Sequence, residues 1–142
     1  MMNRLQPQAL ALAITMLLGG CASYEASADP GRSLTKTQRF FVASNLNDNH
    51  GLDRQLVEAL RAHGRTAELG PLTMMPDDTQ VVLTYADRWA WDFGDHLVYL
   101  QLAVRDAHAE QTFATVAFGA KVPLREPANT TLGRLVDNLL KK

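Results

Sequence analysis

Between Gln80 and Asp92 apolar and polar positions alternate with period two. Val81, Leu83, Tyr85, Asp87, Trp89 and Trp91 take one phase; Val82, Thr84, Ala86, Arg88, Ala90 and Asp92 take the other. Successive side chains of a strand point to opposite faces, so this pattern predicts a strand with one strongly apolar face. Gly94-Asp95 supplies a turn. In the next strand, His96–Arg105, Val98, Leu100, Leu102 and Val104 share a face. Residues 106–110 have the length of a hairpin loop, and the partner strand Thr112–Lys121 aligns Ala114, Val116, Phe118 and Ala120. Upstream, Arg39–Ser44 is a short apolar run that reads as a buried strand, and Asn45–Asn49 supplies turn and cap residues. A helix follows from Gly51 to His63, with Leu52, Leu56, Ala59, Leu60 and His63 on one face and Gly64 at the left-handed cap. Thr66–Leu69 is a brief strand stopped by Gly70-Pro71. After Pro127, Thr130 or Thr131 caps a last helix whose stripe is Leu132, Leu135, Val136, Leu139 and Leu140.

The order β-α-β-β-β-β-α predicts an α/β (α+β) two-layer sandwich, with two helices on one face of a mixed sheet of four to five strands. Strand–helix–strand at this spacing implies a right-handed parallel crossover. The arrangement resembles the N-terminal α/β domain of TolB-like envelope proteins, a likeness of architecture that says little about function.

The N-terminus has a different pattern. Arg4 precedes an uncharged, largely apolar run from Ala9 to Leu18, then Gly19, Gly20 and the chain's single cysteine, Cys21. As a helix that run rises about 15 Å, half of a bilayer core, so it reads as a secretory signal and not as a span. Leu18-Gly19-Gly20-Cys21 resembles the bacterial lipobox. The resemblance implies cleavage between Gly20 and Cys21, acylation of the Cys21 thiol and, from Ala22 after it, export to the outer membrane on the periplasmic side. Two or three acyl chains hold a protein firmly where one holds it marginally. Residues 1–20 are thus expected to be a signal peptide. Residues 21–38, with small, polar and breaker residues such as Ser23, Ser27, Pro30, Gly31 and Ser33 and little apolar periodicity, are expected to form a lipidated, flexible tether reaching about 20–25 Å. Residues 39–142 are expected to form the single domain.

Composition narrows the function. Fourteen Lys and Arg against fifteen Asp and Glu are mixed along the chain, which leaves no basic stripe for nucleic acid. One cysteine excludes a disulfide framework and a multi-cysteine metal site. There is no G-x-G-x-x-G or P-loop for a nucleotide, no G-x-S-x-G nucleophile elbow and no HExxH. No catalytic set, cofactor or metal site is therefore assigned.

The densest stretch of chemistry is Asp87–His96, with three aspartates, a histidine and two tryptophans. Asp92, Asp95 and His96 are candidate metal ligands or an acid–base pair, against which stands a simpler role for the two aspartates in capping the turn around Gly94. Asp87 lies on the apolar stripe between Tyr85 and Trp89, so its charge needs a partner such as Arg88, Arg105 or Arg125, or a bulge that turns it outward. Trp89 and Trp91 share a face: core if the helices cover it, a hot spot or stacking platform if they do not. His50, His63 and His108 fall at element ends, where caps and boundary residues are common.

The run Thr84-Tyr85-Ala86-Asp87-Arg88-Trp89-Ala90-Trp91-Asp92 resembles a group of small proteobacterial outer-membrane lipoproteins with a Thr-Tyr-x-Asp-x-Trp-x-Trp-Asp stretch. The likeness spans about Phe40 to Leu140. It implies a compartment and a fold, since the group has no established activity. The expectation is a lipid-anchored, non-enzymatic module that binds or assembles with an envelope protein partner, with Tyr85, Asp87, Trp89, Trp91 and Asp92 as candidate binding residues. The alternative is a small metal-dependent hydrolase or small-ligand-binding protein using Asp87–His96.

Overall fold

The computed structural model describes residues 22–121 and 126–142. The expected signal peptide, the expected cleavage point and Cys21 lie outside the described residues, as does Arg125.

Among the described residues eight strands and α-helices follow in the order β1 (Ala22–Ala28), β2 (Arg39–Ala43), α1 (Leu52–Ala62), β3 (Thr66–Gly70), β4 (Val81–Trp91), β5 (Asp95–Asp106), β6 (Thr112–Ala120) and α2 (Ala128–Leu140), with a short 3-10 turn at Leu72–Met74 between β3 and β4. The strands form one open six-stranded sheet in the order β1-β6-β5-β4-β2-β3. β2 is parallel to β3 and β4; the other pairings are antiparallel. Phe40, Val42, Val81, Leu83, Tyr85, Leu100, Leu102, Val104, Val116 and Phe118 meet Leu52, Leu56, Leu60, Leu132, Leu135 and Leu139 of the two helices in one buried cluster. The mixed α/β sandwich is thus as the periodicity predicts.

The strand count is not. Residues 22–38, expected as a tether, belong to the domain. Ala22–Ala28 pairs antiparallel with β6 as a sixth, edge strand, and Leu34 is 1% exposed. Main-chain pairing with an existing strand needs no apolar side chain, so Ser, Glu and Ala serve there without producing a periodic signal.

Strict alternation also fails in β5. The β4–β5 register shifts between Arg88 and Trp89: Tyr99 faces Arg88 while Leu97 faces Trp89, so Val98 is the extra residue of a bulge. Leu97 is buried in the place expected for Val98, which is only half-buried. A second irregularity, between Val104 and Arg105, lets Phe113 join the core beside Ala114.

α1 ends as expected. Gly64 has φ +77°, its N–H donates to the Arg61 carbonyl (2.9 Å), and the Arg65 N–H donates to that of Leu60 (3.0 Å). Both bonds satisfy carbonyls that the helix end leaves open. α2 starts earlier than expected. Pro127 (φ −58°) stands at its N-cap in place of Thr130 or Thr131, and Thr131 is buried within the helix with its hydroxyl toward Glu126 (3.4 Å).

Candidate functional site

Because β2 and β4 run parallel side by side, the loop after β2 lands beside the C-terminal half of β4. That topology joins residues far apart in sequence. The Tyr85 hydroxyl donates to Asp48 Oδ2 (2.7 Å), and Asp48 also accepts the backbone N–H groups of His50 (2.9 Å) and Asp53 (3.2 Å). Asp48 thereby satisfies a donor in the first turn of α1, where a carboxylate is favoured by the helix dipole. Burial alone would raise the Asp48 carboxyl, but the Tyr85 hydroxyl and the N–H groups of His50, Asp53 and Leu52 outweigh it and hold it below the ordinary aspartate range. Burial and the same hydrogen bond push the Tyr85 phenol far above its usual range. Tyr85, 7% exposed, is therefore a buried donor held on Asp48.

Outboard of this pair, the His50 ring stacks on Trp89 (centroids 3.7 Å apart, planes 10° apart) and its Nε2 lies 3.2 Å from Asp95 Oδ2. The Trp89 indole N–H donates to Asp87 Oδ2 at 2.7 Å. Asp87 thus finds its partner two residues along its own strand, on the same face, and not in Arg88 or Arg105. Trp89 packs half-buried against the core, whereas Trp91, expected to share its surroundings, is 74% exposed. On this face the core extends as far as Trp89, which the His50 ring covers, and not to Trp91.

The turn runs through residues 92–94, with Phe93 at φ 53° and Gly94 at φ 146°, and β5 already begins at Asp95. The Asp92 N–H donates to the Gly94 carbonyl (2.9 Å), while the Asp92 carbonyl accepts from His96 Nε2 (3.0 Å). Asp92 works through its main chain and Asp95 through His50, so the two carboxylates form neither the expected turn cap nor a ligand set with His96. Among the described residues no three His, Cys, Asp or Glu side chains converge to hold a metal ion, and no hydroxyl is hydrogen-bonded to a histidine. These contacts clamp the β4–β5 hairpin to the loop before α1 and leave the tip, Trp91 and Phe93 with ring centroids 5.8 Å apart, in solvent. From the sequence, Asp48 reads as one of the turn and cap residues 45–49 and His50 as a boundary residue, and neither is tied to this site. A buried-stripe tyrosine and tryptophan, each needing a polar partner, were the available signal for them.

No family model matches the chain, and no curated protein matches it in sequence. Solved structures share its fold. PelC from Paraburkholderia phytofirmans, described as a dodecamer, superposes with a TM-score of 0.59 at 14% identity over 84% of this chain and 94% of its own. A DUF4136 family protein from Bacteroides thetaiotaomicron gives 0.52 at 6% identity over 83% and 93%. At such identities the likeness is one of fold.

Proposed function

We propose that the protein is a lipid-anchored lipoprotein of the bacterial outer membrane, held through Cys21 and facing the periplasm, whose domain is a non-enzymatic binding or assembly module for another envelope component. On this reading it stands with the small proteobacterial lipoproteins that its Thr84–Asp92 stretch resembles, and its layering with that of TolB-like N-terminal domains. The observation that carries the reading is the open sheet. β1 and β3 are its two edges, and β1 exposes nearly every side chain along its length. An unpaired edge accepts a strand from a partner or from a second copy. PelC, of like fold, is described as a dodecamer, which makes self-association one form of such assembly.

Co-purification of the full-length tagged chain from detergent-solubilised envelopes, followed by native mass and amide exchange, tests this. The expected result is a stoichiometric assembly in which β1 or β3 amides exchange more slowly than in the isolated chain. A chain that stays monomeric and partnerless in every detergent and salt condition overturns it.

A further inference from the structure

The sheet register sets the residue after Cys21 and the exposed aromatic side chains at one end of the molecule. Ser23 pairs with Gly119, Gly119 with Tyr99 and Tyr99 with Arg88, so a single row crosses four strands. Ala22 lies one residue beyond that row, toward Cys21. On the same side β4 continues through Trp91 and turns at Phe93, overhanging the row by about 10 Å and standing about 14 Å from Ala22 across the sheet. β2 runs parallel to β4, so Leu46, just after β2, belongs to this end too. Leu46 is 100%, Phe93 94% and Trp91 74% exposed, three large apolar side chains in solvent at one end. Beside Ala22 a depression of about 430 Å³ is lined by Val98, Gly119 and Ala120 together with two cations, Arg88 and Lys121.

We propose that this end is a membrane-interface surface whose occupant is a phospholipid bilayer, with the Trp91–Phe93 tip seated at headgroup depth and lipid phosphates at Arg88 and Lys121. The inference rests on the lipid anchor proposed above and deepens it. Tryptophan favours the interface, where its ring is buried and its N–H stays wet. Asp92 and Asp95 flank the tip, and carboxylates are costly in hydrocarbon, so the tip stops short of the acyl core. A chain tethered beside the tip makes its insertion intramolecular, which raises the effective concentration of the surface.

The chain has two tryptophans, so Trp89→Phe leaves Trp91 as sole indole and Trp91→Phe leaves Trp89. The mature chain is purified from membranes, its mass is measured, and it is reconstituted in phosphatidylethanolamine–phosphatidylglycerol vesicles carrying brominated phosphatidylcholine. The expected result is a blue shift and loss of Trp91 emission, stronger with bromines near the carboxyl end of the acyl chains than near the methyl end, with Trp89 unchanged. Arg88→Glu with Lys121→Glu weakens the loss. Should Trp89→Phe not fold, the wild-type spectrum minus that of Trp91→Phe gives the same readout. An acylated chain whose Trp91 is as open to aqueous iodide as in a lipid-free Cys21→Ser chain overturns the surface and leaves the anchor standing. A chain with no acyl mass overturns the anchor and this surface with it. Protection of Trp91 that grows with concentration in the lipid-free Cys21→Ser chain assigns the end to contacts between copies, and likewise overturns it.

Discussion

The two ends of the sheet are finished differently. At the end away from the hairpin tip, the segment between β1 and β2 closes over the C-terminus: the Leu34 N–H donates to the Lys142 carbonyl (2.6 Å), and the Ser33 hydroxyl reaches the same oxygen (2.9 Å). Arg32 forks onto Asp106 (2.9 Å from Nη1 to Oδ2) while its guanidinium lies 4.0 Å over the Phe113 ring, and that fork holds the Asp106 carboxyl below its ordinary range. Gln80 accepts the N–H groups of Gln38 and Arg39. At the hairpin end the polar contacts sit inboard, at Asp48, Tyr85 and His50, and apolar side chains stand outside them in solvent. One end encloses its apolar groups; the other spends them on the surface. Surface aromatic groups that the fold does not use are free for a partner.

The largest expected effect lies at the closed end. Leu34→Ala removes a side chain 1% exposed from a stretch that composition alone marks as a linker. A loss of about 2–5 kcal/mol is expected in urea unfolding, as for other buried leucines. A loss under about 0.5 kcal/mol would mean that residues 29–38 do not seal the core, and the contrast between the ends would disappear.

That stretch shows where sequence stops informing. Strands β4 to β6 and both helices are legible because one face of each is buried, which imposes period two or 3.6 on the residues. β1 is edge and exposed, so no face selects its side chains and no period appears. The bulge at Val98 is equally silent, since one inserted residue swaps faces without altering composition. The anomaly of Asp87 was legible, but its answer was not: strand neighbours two apart share a face, and the indole N–H needs an acceptor as much as the carboxylate needs a donor. Asp48 and His50 reach the site only through the parallel β2–β4 pairing, a long-range fact that local pattern does not carry.

Next in size is Tyr85→Phe at the hairpin end. It removes the hydroxyl that donates to Asp48 and is expected to cost about 1–2 kcal/mol at neutral pH. The folded Asp48 carboxyl is depressed, so its contribution is present above the unfolded aspartate value and fades as pH falls through the folded one. Tyr85→Phe brings the folded value closer to the unfolded one, so the gap between variant and wild type should narrow below about pH 4. Urea midpoints across that range check it. A gap independent of pH would trace the loss to packing, not to the charged hydrogen bond.

The two tryptophans sharpen the comparison within three residues of chain. Trp89→Phe keeps a ring against His50 but leaves Asp87 without its donor, for an expected loss of about 1 kcal/mol. Asp87→Asn, which keeps an acceptor oxygen, should lose less.

The smallest effect expected is also the most telling one. Trp91→Ala and Phe93→Ala each remove a large ring, yet both rings stand outside the clamp, so stability should change by no more than about 0.5 kcal/mol. An ordinary core aromatic would cost several times that when cut to alanine. Thermal or urea unfolding of the isolated chain decides between them. A loss above about 1 kcal/mol would show that the tip packs against its own domain and is not available to anything else. A change near zero means that folding does not account for two exposed aromatic rings beside one another, and their occurrence there has to be explained by what they touch outside the chain.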